Sequence, residues 1–286
     1  MSTRSAAWVV AFLIGTGSAM AGAPVPQTDF FVQNEGQWEG AFAFKYEGNG
    51  AAYFLTQIGM AMDLRQFDKP PRSRDPMDRM RHEEEREPIS VRGHVLRLSY
   101  LYANPTPILT GENKLSSYSN YFLSRDSCKW KSRVGHYRSV TAKDVWPGID
   151  VQYRIATHGI ETVYHLRPGA DASLIQLRYE GQEGAIGVDA NGSLLLSTSL
   201  ATVTEAAPFA YQNINHTQIE IPCRYDLTAD GGYRFVLGPY DPTREVVIDP
   251  LVYCSYWGGY GELELYDIAE DGEHHKLLTG HVYYAN

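Results

Sequence analysis

Apolar and polar residues alternate in short runs along most of the chain. Phe42, Phe44 and Tyr46 hold every second position, as do Tyr53 with Leu55, and Met60, Met62 and Leu64. Period two places successive side chains on opposite faces of an extended backbone, so these runs predict strands with one buried face. The breaks "NEGQ", "EGNG" and "QIG" between them predict turns. The pattern continues through "HVLRLSYLYA", "GIDVQYRI", "ETVYHLR", "SLIQLRYEG", "TQIEIPCRYDL", "YRFVLG" and "EVVIDP". "DANGS" at 189–193 predicts a hairpin, because Asn191-Gly192 tolerates positive φ. The one helical suggestion is a turn around "SVTAKDVW". No alternation of strands with helices is present, which disfavours a parallel sheet. The expected fold class is all-β: antiparallel, β-sandwich-like layers of many short strands. Composition agrees, with 20 Tyr for strands and 26 Gly and 15 Pro for tight connections.

Two stretches depart from this pattern. In "DKPPRSRDPMDRMRHEEERE", residues 68–87, thirteen of twenty residues are charged and three are Pro. No apolar face can be drawn on them, so 68–90 is expected to be a solvated, disordered loop between two strands. At the N-terminus, "MSTR" supplies a positive charge and "AAWVVAFLIG" an apolar run too short to span a bilayer. Ala19 and Ala21 then form an A-x-A site, so residues 1–21 read as a secretory signal. No later stretch could span a membrane as a helix. The expected organisation is a signal peptide (1–21), a β-rich domain (22–250) and a distinct C-terminal stretch (251–286).

Export shapes the remaining expectations. Removing the signal takes one of the 25 basic residues and leaves a net charge of −10, which disfavours nucleic acid as a partner. A surface glycan or protein is the expected partner class. Cys128, Cys223 and Cys254 are too few for a disulfide framework. Either Cys223 and Cys254 form one bridge, or the cysteines are small buried hydrophobes. No cofactor is expected. His274-His275 suits an exposed turn better than a metal site, since neighbours on a strand point apart. The acidic turns "DANGS" and "EDGEHH" leave structural calcium as the only metal expectation, without EF-hand spacing.

Catalytic signatures are sparse. No G-x-S-x-G elbow exists, and Cys128 has basic neighbours but no identifiable base. The strongest enzymatic constellation is in "KDVWPGIDVQYRIATHGIETVYH". Asp144, Asp150 and Glu161 could supply paired carboxylates for glycoside hydrolysis, with Trp146 and Tyr153 as stacking faces for a sugar. The competing reading anchors Trp146 in the core beside a Pro147-Gly148 turn. Tyr211-Gln212 and Asn120-Tyr121 are expected as buried polar anchors.

Several phrases occur in series: "FFVQNEGQW", "AYFLTQIGMAM", "WPGIDVQYR", "RPGADASLIQLRYEG", "EAAPFAYQ" and "VVIDPLVYCSYWGG". Together they resemble the domain of unknown function that precedes SBBP (β-propeller) repeats in exported bacterial proteins. The resemblance covers about 29–257 and implies that 251–286 is an incomplete propeller repeat. It carries no catalytic residues. It implies an exported or cell-surface, non-enzymatic module for interaction, scaffolding or adhesion. The alternative is a secreted carbohydrate-active enzyme or its sugar-binding accessory domain.

Overall fold

The structure is a computed structural model that describes residues 29–48, 50–67, 91–123, 126–156, 159–250, 263–270 and 276–282. For Phe67 and for residues beyond Pro250 it describes the backbone alone. Residues 1–21 with the expected signal, the charged segment 68–90, Cys254 and His274-His275 lie outside the described residues.

The strands run in chain order as follows. The first group is β1 Phe31–Gln33, β2 Phe44–Gly48, β3 Ala51–Thr56, β4 Gly59–Phe67 and β5 Val91–Leu101. Next come β6 Ile108–Tyr121, β7 Lys131–Trp146, β8 Ile149–Ala156, β9 Gly159–Leu166 and β10 Gln176–Glu180. A small group follows: β11 Gly187–Val188, β12 Leu194–Ser197 and β13 Thr202–Glu205. The domain ends with β14 Pro208–Ile214, β15 Thr217–Ile221, β16 Cys223–Leu227, β17 Tyr233–Leu237 and β18 Val246–Pro250. Among the described residues helix is limited to two single 3₁₀ turns, Ser127–Lys129 and Ala172–Leu174.

One antiparallel sheet contains most of them, in the order β15-β14-β18-β9-β8-β7-β1-β2-β3-β4-β5-β10-β17-β16, with β6 also on β7. The sheet folds over on itself. Inward side chains of β7, β8 and β9 meet those of β5, β10 and β17 across the core: the Tyr100 and Trp146 rings are 5.2 Å apart, and so are Tyr164 and Phe235. The layers are therefore sandwich-like. A three-stranded sheet of β11, β12 and β13 adds Leu194, Leu196 and Val203 to the same core. Each fully buried aliphatic or aromatic side chain contributes about 1.5–3 kcal/mol to folding. No closed barrel or propeller exists among the described residues.

Local sequence explains the turns. Trp146 pairs with Ile149, so Pro147-Gly148 alone joins β7 to β8. Pro fixes φ at the first turn position, and Gly148 adopts φ +77° at the second, as a type II turn demands. At "DANGS", Asp189 Oδ1 accepts the Asn191 and Ser193 N–H groups at 2.8 Å each. The helical turn expected at "SVTAKDVW" is strand instead, within β7. Ser139, Val140, Thr141 and Ala142 are all buried, and burial on both faces erases the alternation that marks a strand.

The C-terminal stretch contributes a hairpin of its own, β19 Leu263–Glu270 with β20 Lys276–Val282. Its ladder is antiparallel, with a register shift between Leu265 and Asp267.

Candidate functional site

The carboxylates singled out in the sequence do not form a catalytic pair. Asp144 closes on Arg167, and its backbone N–H donates to Asp150 Oδ1 at 2.8 Å. Glu161 sits opposite Arg154 in the β8–β9 ladder. Arg154 Nη2 is 3.1 Å from Glu161 and 2.9 Å from Asp249. Burial, then the Asp249 charge, pushes the Glu161 carboxyl above its ordinary range. Asp150 is four residues along β8 from the partner of Glu161, so their backbones are about 13 Å apart. Asp144 and Asp150 share Arg167, whose Nη1 is 3.9 Å from Asp150 Oδ1, while Glu161 is held by Arg154. Trp146 and Tyr153 are fully buried and offer no ring face to a ligand. Trp146 Nε1 donates to Leu101 O at 3.0 Å, and the Tyr100 and Tyr153 hydroxyls share a 2.8 Å hydrogen bond. The ring beside the Pro-Gly turn anchors the core, not a sugar.

Other expected positions divide. Gln212 is buried and clamps the 241–245 loop. Its Nε2 donates to Asp241 O at 2.8 Å and its Oε1 accepts from Asp241 N at 2.9 Å. Asn120 is exposed rather than buried, though its Oδ1 accepts the Arg133 N–H at 2.8 Å. Cys223 is half-buried, and burial pushes its thiol up to about 12. Its proposed pairing with Cys254 lies outside the described residues. Among the described residues no three His, Cys, Asp or Glu side chains are grouped to hold a metal ion.

One buried acid went unnoticed in the sequence. Glu205 ends β13 inside the core, accepting from Tyr179 Oη at 3.1 Å and Tyr233 Oη at 3.4 Å. Burial pushes its carboxyl up to about 7, against the opposing pull of the tyrosine hydroxyls. Strand alternation carries the signal, since Val203 points inward and so must Glu205. No cleft described below is lined by Glu205, which makes it a core group.

Among the described residues the surface opens into clefts, two of which stand out. The larger, about 480 Å³, is lined by opposed charges such as Asp29, Arg138 and Arg154, and by no aromatic ring. The smaller, about 240 Å³, is walled by Phe30, Trp38 and Tyr121, with Lys45, Glu47 and Ser119 among its polar groups. Three segments build it. Alternation along β2 buries Phe44 and Tyr46 and turns Lys45 and Glu47 outward, where they pair at 2.5 Å. The "NEGQW" segment folds around Asn34. Its Nδ2 donates to Trp38 O at 3.3 Å and Phe42 O at 3.2 Å, while its Oδ1 accepts from Gly36 N at 3.1 Å. Trp38 is thereby fixed 4.8 Å from Tyr121, edge to face. Lys45 Nζ lies 5.0 Å from the Trp38 ring centre and 5.7 Å from that of Phe54.

The third segment is the tip of the β6–β7 hairpin. Buried His136 stacks on Phe30 at 3.7 Å, with its nitrogens 3.0 Å from Ser117 Oγ and 2.8 Å from Ser119 Oγ. Burial pushes the His136 pKa down, which favours the neutral ring. Leu123 completes the cleft wall, and beyond it the tip exposes Phe122 and Trp130. The Phe122 and Trp130 rings meet edge to face at 5.2 Å. The arrangement sets flat apolar faces beside fixed donors and acceptors.

No curated protein matches the chain, and no solved structure does. A family model described as a domain of unknown function, DUF7948, matches residues 31–251, from β1 to the end of the main sheet. That span is more than three quarters of the 286 residues, and the chain belongs to the DUF7948 family.

Proposed function

We propose that this protein is an exported or cell-surface module that binds a surface ligand without transforming it. The observation that carries this reading is the Trp38–Tyr121 cleft with its aromatic rim. The cleft is assembled by side chains already locked by hydrogen bonds, and preorganisation favours affinity. Asp144, Asp150 and Glu161 are engaged by arginines away from it, which weighs against the secreted carbohydrate-active enzyme. A sugar-binding role remains compatible with the same cleft.

Export rests on residues 1–21, with their basic start, short apolar run and A-x-A site. The phrase "VVIDPLVYCSYWGG" supports a second element: the family domain introduces an SBBP-type propeller repeat. The β19–β20 hairpin is compatible with two strands of a four-stranded blade. The test has two parts. N-terminal sequencing of the expressed protein should find Gly22 as the first residue, in the exported fraction. An array of glycans and surface proteins should then retain the wild-type chain and lose Trp38→Ala. Cytoplasmic retention of the intact N-terminus would overturn export. Turnover of an arrayed polymer would overturn the non-enzymatic reading.

A further inference from the structure

We infer that the Trp38–Tyr121 cleft and its rim take one ring of an acidic polysaccharide, a chain bearing uronic-acid-type carboxylates. The inference rests on the binding reading above and adds the ligand class. Size is the first argument. Sites for whole drug-sized ligands run to about 300–1,000 Å³. At about 240 Å³ the cleft suits a single ring of a longer ligand. The exposed Phe122 and Trp130 faces continue the track outside it.

Charge is the second argument. The protein carries a net charge of −9, yet its hairpin tip is locally basic. Between residues 126 and 133 stand Lys129, Lys131 and Arg133 against the single acid Asp126. Asp126 caps the 3₁₀ turn by accepting the Cys128 N–H at 2.9 Å. Lys131 reaches the "NEGQW" loop, where a Cβ on Gly36 would lie 3.9 Å from its Nζ. Arg133 holds its guanidinium 4.9 Å from the Tyr118 ring centre. None of the three basic residues forms an ion pair among the described residues. A cationic, aromatic spot on an acidic protein is complementary to an anionic chain.

The polar interior of the cleft argues for sugar over lipid. Lys45 and Glu47 already pair with each other and Ser119 with His136, and acyl chains would strip the remaining water from these groups at a cost of about 1–3 kcal/mol. Hydroxyls and carboxylates of a sugar ring replace that water with hydrogen bonds, while its apolar face covers an aromatic ring.

The full chain should be titrated by calorimetry with polygalacturonate, alginate, neutral dextran and phosphatidylglycerol vesicles. The inference expects binding to the two uronates, weakening about tenfold or more between 50 and 300 mM salt, because binding releases cations condensed on the polyanion. The double variant Lys129→Glu/Lys131→Glu should lose at least tenfold in affinity, and Trp130→Ala should lose about as much. Lys129 and Trp130 are exposed and Lys131 is half-buried, so thermal midpoints should stay nearly unchanged, which separates lost binding from lost folding. Uronate affinity unmoved by charge reversal would overturn the inference. Dextran or the vesicles binding instead, and doing so through Trp38, would also overturn it while leaving the binding module intact. Retention of no probe, together with an unresponsive array, would overturn both readings.

Discussion

Replacing Glu205 by Gln should flatten the pH dependence of folding stability. Folding carries the Glu205 carboxyl into the core and raises its pKa from 4.5 to about 7. The raised pKa means that the folded chain holds a proton that the unfolded chain has released. The group therefore favours folding fully below about pH 4.5, and that contribution is lost as pH rises through about 7. A shift of about 2.5 pH units corresponds to about 3.4 kcal/mol, at about 1.4 kcal/mol per unit. Gln keeps the shape and a carbonyl acceptor for Tyr179, and removes the titration. Its amide needs an acceptor among the tyrosine hydroxyls, a cost of about 1–3 kcal/mol where none turns toward it. That cost is the same at every pH. Urea unfolding of both proteins at pH 5 and pH 8 separates the two effects. Stability lost by wild type between these pH values should exceed that lost by Glu205→Gln by about 2–3 kcal/mol. Shared titrating groups cancel in this difference of differences. The surface carboxyls lowered by hydrogen bonds, Asp226 with Arg234 and Asp241 with Thr243, act below this window. Identical pH slopes in the two proteins would refute the assignment of Glu205 as the titrating core group.

Two further perturbations probe the scaffold and the cleft. Gly59 has φ +140°, and a Cβ there would stand 1.9 Å from Leu98 O, a backbone atom that cannot swing away. Gly59→Ala should cost about 2–4 kcal/mol and lower the calorimetric unfolding midpoint; a loss under about 1 kcal/mol would contradict the β4–β5 geometry. Asn34→Ala removes the hydrogen bonds that tie residues 34–42 into one loop. Amide exchange should then speed up at Gly36 and Trp38 while β8 amides keep their wild-type rates, a local effect of about 1–2 kcal/mol.

Much of the scaffold was legible because it is local. Phe44, Lys45, Tyr46 and Glu47 announce a strand by alternation, and β2 turns the first and third inward as period two requires. Pro147-Gly148 and "DANGS" specify their turns through φ. Legibility fails where burial is two-sided, as along Ser139–Ala142, because a strand covered on both faces loses its polar alternation.

The cleft was illegible for a different reason. Its parts come from residues 30–47 and 117–131, and nothing local relates them. They meet because β1, only three residues long, lies between β2 and β7 and bonds to both. Pairing Val32 with Lys45 on one side and with His136 on the other sets the distance across which Trp38 reaches Tyr121. The acids show the converse error. Asp144, Asp150 and Glu161 are close in sequence and lie on adjoining strands, so proximity suggested a pair. What decides their chemistry is the charge each meets, and the Arg154 partner Asp249 arrives from β18, more than ninety residues away. A short strand that touches two neighbours thus determines the site more strongly than any motif does. Disrupting β1 pairing should therefore abolish the cleft and lower the urea midpoint with it, since Phe31 of the same strand is fully buried in the core that holds Tyr100 and Trp146.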